Sequence, residues 1–495
     1  MDIRIDRNGD GPRRAVYLQI ADQIRDAVAR GELTAGARLP AIRGLAANLG
    51  VNRDTVSLAY ELLVRDGLLE ATVGRGTFVR QGRGYAGEVR RSPPFAQSVE
   101  RLLHLEQARP SYSAVDGAVP LHALTPDPSL YPLESFRRSL DRVLENSGSE
   151  LLVYGEHQGS LELRQAIARR LAAHRMTATA DDIVLCQGAS QGISLAMRLF
   201  AEPGDWVAVE EPTYHNVLTA LVSLGLRAAP IPMTDDGPDL EVLGRTLARP
   251  EVKLFYTMPS FHNPLGTTTS EAHRRALVDL AARMGKPVIE DGFEMDLRYA
   301  GDPVTPLAAL DPHGLVVHLF SFSKSLFPGV RIGAITARGR AVEGLLALKN
   351  AADLSGAMIL QAAVADFINE GGYERHLTGL RGTLRKRRDA MVDALAAHMP
   401  DGARWTVPVG GYQLWLELPG ELDTSSLFAE AKRAGVLFAP GHQFHHDGRP
   451  SQAMRLTTAL ADAGEIQRGI EILGRVVKSH LPHARRMARD RNIHV

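Results

Sequence analysis

A single cysteine, Cys186, serves the whole of this 495-residue chain. One thiol cannot build an internal disulfide framework or a multi-cysteine metal site, so neither device organises the fold. Lysine is nearly as scarce: there are seven, and the first is Lys253. No apolar run approaches the roughly 18 residues of a membrane span. The start, Met1-Asp2-Ile3-Arg4-Ile5-Asp6, has no apolar stretch behind its charges, so a secretory signal is not expected. The expectation is a cytoplasmic protein without membrane contact. Net charge is missing too: 57 Lys+Arg balance 57 Asp+Glu, which argues against a generic nucleic-acid coat. What is present is globular material, 44% hydrophobic and 23% charged, in a length that suits two or three domains.

Tyr17 to Arg30 places Ile20, Ile24, Ala27 and Val28 on one face, the pattern of an amphipathic helix that Gly31 ends. After Gly36-Ala37-Arg38-Leu39-Pro40 comes a short helix with Ile42, Leu45 and Ala46 inward, stopped at Gly50. Asn52 suits the cap of a third helix, whose Val56, Tyr60 and Leu63 face inward until Gly67. Two short helices across a Gly-containing turn make a helix-turn-helix pattern. Leu68 to Val79 then reads as two strands around Gly74-Arg75-Gly76, a hairpin wing.

The third helix offers Asn52, Arg53 and Thr55 at its N-terminal end, the end that enters a major groove. Arg is bidentate to guanine, and Asn or Thr reads adenine or backbone. Arg43 on the second helix is placed for a phosphate, and Arg75 for the minor groove or backbone. Between Arg13 and Gly82 ten Arg stand against seven Asp/Glu, a net of +3, which is compatible with double-stranded DNA as a partner. Taken singly, each of these residues also suits a solvated polar face. Their order favours DNA binding. Residues 13–80 are therefore read as a winged helix-turn-helix, and 81–115 as a Gly- and Pro-containing linker with a modest helical run near Val99 to Leu105.

From about Asp116, short apolar strands alternate with helices. Asp182-Ile-Val-Leu-Cys186, Trp206-Val-Ala-Val209, Lys253-Leu-Phe-Tyr256, Pro287-Val-Ile-Glu290 and Leu315-Val-Val-His-Leu-Phe320 are the strand candidates. The alternation predicts an α/β domain with a mostly parallel sheet and ligands at strand carboxyl ends. Gly356 to Ala484 predicts a smaller α+β lobe, with two long helical patterns and the run Gly410-Gly-Tyr-Gln-Leu-Trp-Leu-Glu417. The domain is taken as 116–480, and 481–495 as a frayed basic tail.

Lys324 follows an apolar strand directly, in Ser321-Phe-Ser-Lys-Ser-Leu-Phe-Pro-Gly-Val-Arg331. Burial there would lower its pKa and make it a nucleophile for an aldehyde. The plainer reading, a lysine paired with a carboxylate, is disfavoured by the small hydroxyl residues around it. Ser321, Ser323 and Arg331 are a phosphate-binding set: two hydroxyl donors and a planar cation. Gly188-Ala189-Ser190-Gln191-Gly192 follows a strand and opens a helix, so its backbone N–H groups would face an anion. Asp291 could hold a pyridine nitrogen protonated, Asn263 could donate to a ring oxygen, and Tyr214 could stack on a ring face. Singly these are a cap, a turn residue and a core aromatic. Together they supply every polarity that a phosphorylated pyridine aldehyde requires.

Two resemblances follow from these motifs. Gly36–Arg43, Leu45–Val56 and Gly74–Val79 resemble the GntR family of bacterial regulators. The Lys324, Asp291 and Asn263 motifs resemble fold-type I aminotransferases of the aspartate aminotransferase superfamily. That likeness implies a pyridoxal 5'-phosphate cofactor, Lys324 as its Schiff-base lysine, Asp291 at the ring nitrogen and Asn263 at the ring hydroxyl. It implies Ser190, Ser321, Ser323 and Arg331 at the phosphate. Tyr154 resembles the tyrosine that reaches a partner subunit's phosphate, and Arg455 the arginine that clamps a substrate α-carboxylate.

There are two departures. Phe293 stands near where the family often has a tyrosine for the ring hydroxyl, and Asn216 stands where GABA-responsive relatives carry arginine, which points away from GABA. The combination resembles the MocR/GabR subfamily: a winged helix-turn-helix fused to an aminotransferase-like domain. It implies a head-to-tail homodimer and a transcription regulator that senses a small amine or amino acid by aldimine exchange at Lys324. The alternatives are a working aminotransferase with an accessory DNA-binding domain and, with less support, a DNA-binding protein whose large domain is purely structural.

Overall fold

Gly31, Gly50 and Gly67 all adopt positive φ, and each stands just past one of three helices. These are α1 (Val16–Ala29), α2 (Ile42–Leu49) and α3 (Arg53–Arg65). A single apolar cluster joins them, in which Ile20, Ile24, Leu45, Val56, Leu63, Leu69 and Val79 are buried. Strands β1 (Leu69–Thr72) and β2 (Gly76–Val79) pair antiparallel with Leu69 opposite Val79, so the predicted wing is a hairpin. The computed structural model describes Ile3 and residues 16–72, 76–80, 95–112 and 117–491. The chain divides into two units, Met1–Pro94 and Phe95–Val495.

The second unit begins earlier than the sequence reading placed it. Helix α4 (Gln97–Ala108) lies within the span assigned to the linker, yet it packs against the helix His215–Ser223 of the large domain. Its apolar content is low, and Val99, Leu103 and Leu105 remain partly exposed, which is why periodicity shows it only weakly. At the other end the last helix runs Ala463–Arg491, past the boundary drawn at 480 and through most of the stretch read as a frayed tail. Alanine and arginine are strong helix formers, so the helix propagates past its packed half.

Strand β3 (Val119–Pro120) leads into the main sheet. Eight strands form it: β4 (Ile183–Cys186), β5 (Trp206–Glu211), β6 (Arg227–Thr234), β7 (Gly237–Pro238), β8 (Val252–Thr257), β9 (Val288–Asp291), β10 (Val316–Ser321) and β11 (Gly333–Thr336). Their spatial order is β4-β11-β10-β9-β8-β5-β6-β7. The pairs β6/β5, β5/β8, β8/β9 and β9/β10 are parallel, while β11 runs against both neighbours. Every residue of β4, β9 and β10 is buried, as strands covered on both faces must be. Sequence patterning finds five of these strands and misses β6, whose Pro230 and Pro232 read as turn signals. The smaller lobe holds β12 (Arg404–Trp405), β13 (Gln413–Glu417), β15 (Ala439–Pro440) and β16 (Ala453–Thr457) in one antiparallel sheet, while β14 (Val436–Leu437) pairs with β3. Helices Gly372–His398 and Ala463–Arg491 cover it. The chain is thus an N-terminal winged helix-turn-helix followed by an α/β domain with a smaller α+β lobe.

Candidate effector site and nucleic-acid interface

In the first unit, Arg43, Asn52 and Arg53 are exposed and Thr55 is half-buried at the start of α3. Asn52 caps that helix, its side-chain oxygen accepting from the Asp54 N–H at 3.2 Å. The oxygen is therefore committed locally, and its amide group is what remains for a base or phosphate. Tyr60 OH donates to the Pro40 carbonyl at 2.8 Å, tying α3 to the turn before α2. Arg75 lies outside the described residues.

In the second unit, the carboxyl ends of five strands converge on one place, as open α/β sheets arrange their ligand sites. After β4, Gly188 (φ +81) opens the helix Ala189–Phe200 with no side-chain cap, so the first N–H groups, those of Ala189 and Ser190 among them, are free of one. Arg331 Nη2 donates to the Gln187 carbonyl at 2.9 Å, and a Cβ at Gly188 would lie 3.0 Å from that nitrogen. The exposed Arg331 guanidinium therefore sits against the helix start. Ser321 ends β10 and accepts from the Ser323 N–H at 3.2 Å. Gln191 is turned back: it accepts from the Gln187 N–H and donates to Asp353. An uncapped helix N-terminus with serines and an arginine beside it is the surrounding a phosphate monoester needs.

Asp291 ends β9 and is 1% exposed. Burial pushes its carboxyl up to about 6, even though Tyr256 OH donates to it at 2.7 Å and the Phe293 N–H at 3.2 Å. Both donors are neutral, so the carboxylate has no fixed cation among its hydrogen-bond partners. Asn263 is equally buried. Its oxygen accepts from Arg455 Nη1 at 2.9 Å, whereas its Nδ2 has no hydrogen-bond partner. The rings of Tyr214 and Phe293 lie parallel within 1°, with centroids 6.5 Å apart. Lys324 is half-buried after β10. Its Nζ donates to the Leu124 carbonyl at 2.7 Å, and burial lowers its pKa. A buried carboxylate without a cation, an orphaned amide donor, an aromatic face, a depressed lysine and an anion cradle together fit a phosphorylated pyridine aldehyde.

Arg455, on β16, is 4% exposed, and burial lowers it to about 10. Nη2 donates to the His122 carbonyl at 2.9 Å, the guanidinium lies 5.0 Å from the Phe444 ring centre, and Nε has no partner. Tyr154 stands apart from this set. It is 80% exposed beside exposed Leu152 and Val153.

Three elements escaped the sequence reading. Arg109, at the end of α4, donates to Thr219 Oγ1 at 3.0 Å and to Asn216 Oδ1 at 3.4 Å. Asn216 in turn donates to Tyr214 OH at 2.6 Å. Tyr112 stacks on His122 at 4.2 Å, against the carbonyl that Arg455 holds. Glu294, which nothing in the sequence singled out, is 1% exposed and acts electrostatically on Lys324. Only the placement of polar residues on a poorly periodic segment or just past a strand end could have signalled these.

Known proteins bear on the assignment. Residues 126–473 match the family of class I and II aminotransferases, and residues 16–79 match the gntR family of bacterial regulatory proteins. The HTH-type transcriptional regulator YdcR of Escherichia coli is 32% identical over 94% of this chain and 99% of its own. The probable rhizopine catabolism regulatory protein MocR of Rhizobium meliloti is 29% identical over 95% of this chain and 94% of its own. Among solved structures, the α-aminoadipate aminotransferase LysN of Thermus thermophilus, complexed with N-(5'-phosphopyridoxyl)-L-leucine, aligns with a TM-score of 0.70 at 29% identity. That alignment covers 78% of this chain and 96% of LysN. With its large domain in the class I and II aminotransferase family and a gntR-type reader ahead of it, this chain belongs to the MocR type of HTH transcriptional regulators.

Proposed function

We propose that this regulator binds pyridoxal 5'-phosphate and senses a small amine or amino acid with it, passing the result to duplex DNA through the N-terminal reader. The observation that carries this reading is the hydrogen-bonded series Arg109–Asn216–Tyr214. It ties α4, the first helix after the reader, to the aromatic face of the candidate cofactor slot. Such a tie suits a sensor, because a ligand shifts a conformational equilibrium only through contacts that differ between states.

When bound, pyridoxal 5'-phosphate supplies an aldehyde that bonds reversibly to primary amines on an electron-withdrawing ring. Lys324 would hold it, Asp291 would face the ring nitrogen, Asn263 Nδ2 the ring hydroxyl, and Tyr214 one ring face. Ala189, Ser190, Gln191, Ser321, Ser323 and Arg331 would surround the phosphate. Arg455 would take the effector's carboxylate, its planar fork matching two oxygens. Arg43, Asn52, Arg53, Thr55 and Arg75 would meet the DNA. The exposure of Leu152, Val153 and Tyr154 supports a homodimer in which Tyr154 serves the partner's phosphate.

The test is visible absorption of the purified protein with a panel of amines, paired with operator binding on the same samples. An amine that changes the spectrum stably and shifts DNA affinity supports sensing. A spectral change with no effect on DNA binding overturns it. The complete set of lysine, aspartate and arginine also favours residual aminotransferase chemistry. Release of keto acid with turnover, once an acceptor is added, would make that the principal activity.

A further inference from the structure

A cavity of about 560 Å³, within the size range of small-molecule sites, opens in the large domain away from the cofactor and effector residues. Its walls come from the end of helix Leu161–Ala173, the turn 260–261, the segment 295–306 and one face of helix Gly372–His398. Three guanidinium side chains stand in these walls, those of Arg298, Arg381 and Arg385, and no Asp or Glu does. Arg298 is half-buried. Its Nη1 donates to the Ala300 carbonyl at 3.3 Å, and it lies 5.0 Å from the Phe261 ring centre. Arg381 donates from Nε to the Asp296 carbonyl at 2.7 Å, which leaves both of its terminal nitrogens. Arg385 is exposed one turn further along, with neither a hydrogen bond nor an ion pair among the described residues.

The acids nearby do not answer this charge. Asp296 is buried and already accepts from Arg170, His174 and Tyr373. Asp302 is exposed and acts on Arg298 without reaching ion-pair distance, and burial outweighs it and lowers the guanidinium. Arg381 and Arg385 stand at i and i+4, a like-charge pairing that costs stability with no anion between them. Gly382 adds an independent sign. It lies in the helix interior, where glycine is costly, yet a Cβ there would meet nothing within 4 Å. What the glycine leaves is room in the cavity wall. Met295 and Val304 give the lining an apolar part.

A half-buried guanidinium without an acid is costly until an anion meets it, and its planar fork fits two oxygens of a carboxylate or phosphate. We propose that this cavity is a second ligand site, which takes a small organic dianion: a phosphate monoester or a dicarboxylate on a short apolar body. Arg298 holds its inner end and Arg385 the rim. The proposal stands apart from the sensing reading, because no residue of the cavity serves the pyridoxal slot.

Isothermal titration calorimetry of the full-length chain with phenyl phosphate and, separately, with glutarate tests this. Saturable binding of at least one is expected, and which one binds identifies the acid. Arg385→Ala weakens it about tenfold through loss of a charge-assisted hydrogen bond. Gly382→Leu, which fills the wall with a strong helix former, abolishes it. Arg331→Ala, at the phosphate cradle of the slot, leaves it in place. No binding of either probe at millimolar concentration overturns the proposal. So does binding undiminished in Arg385→Ala or retained in Gly382→Leu, and binding lost in Arg331→Ala belongs to the cradle and overturns it too. Arg385 has no partner to lose, so that variant decides the matter should Gly382→Leu not fold.

Discussion

The two units place their polar residues in opposite ways. In the reader, Arg43, Asn52 and Arg53 stand exposed over a single apolar cluster, and only Asn52, the cap of α3, is tied to the fold by its side chain. In the large domain, Asp291, Asn263, Glu294 and Arg455 are all under 5% exposed, and each is held by hydrogen bonds from other elements. DNA offers a charged surface that exposed side chains can reach. A small ligand must be enclosed, and its partners must be buried and prearranged. Surface residues can therefore change specificity at little cost to folding, whereas the buried set couples binding to stability.

That contrast can be broken in four places. The largest effect is expected from Lys324→Ala: it abolishes retention of pyridoxal 5'-phosphate, seen as loss of visible absorbance after gel filtration, while operator binding without effector persists. Loss of DNA binding in that variant would mean that the reader depends on the loaded site. Arg53→Ala comes next, weakening operator affinity by about 1–3 kcal/mol, or roughly tenfold and more, in a fluorescence anisotropy titration. The cofactor spectrum should not change. A spectral change would contradict the independence of the exposed residues.

Asn52→Ala removes the cap of α3 and should destabilise the reader by about 1 kcal/mol, measured by denaturant unfolding. Glycine at that position should cost only a few tenths of this. The smallest effect is expected at Glu211, where the loop carrying Phe444 against Arg455 is anchored. Burial pushes this carboxyl up, but hydrogen bonds from His445 and His446 outweigh it and hold it at about 2. The same bond to Glu211 raises His446.

The depressed carboxyl contributes above its unfolded value and loses that contribution as pH falls toward about 2. The raised histidine contributes fully below its unfolded value and loses it as pH rises through its folded one. Glu211→Gln should therefore cost of order 1 kcal/mol, with the widest gap from wild type between about pH 4.3 and about pH 6.5. Arg449 keeps part of the contribution at higher pH. A pH-independent gap in thermal melts would rule out the ion pairs as its cause.

Much of this was legible beforehand because local chemistry leaves local marks. Glycines past helix ends, an Asn before α3 and a lysine after an apolar strand are each read within a few residues. Asp291 and Asn263 could be singled out as candidates because only particular residue types would serve a pyridine ring, and the fold buries both. Arg109 and Glu294 were not, because their meaning comes from what lies opposite. Arg109 sits in a segment with the composition of a linker, and Glu294 resembles any acidic residue after a strand. Phe293 read as a lost hydrogen bond, yet in the fold its ring lies parallel to Tyr214, and Tyr256 is the phenol that meets Asp291.

The amino-acid order by itself determined the two kinds of domain, their sequence along the chain, and the residue types available to DNA and cofactor. These follow from periodicity and from side-chain chemistry, which act over a few residues. Tertiary structure decided which of those residues meet. It tied Arg109 of the α4 end to Thr219, turned Gln191 toward Asp353, and set Tyr412 on the Lys324 carbonyl and Gln413 on Glu294. Those contacts span tens to hundreds of residues, and burial gives them their strength, so no local pattern records them.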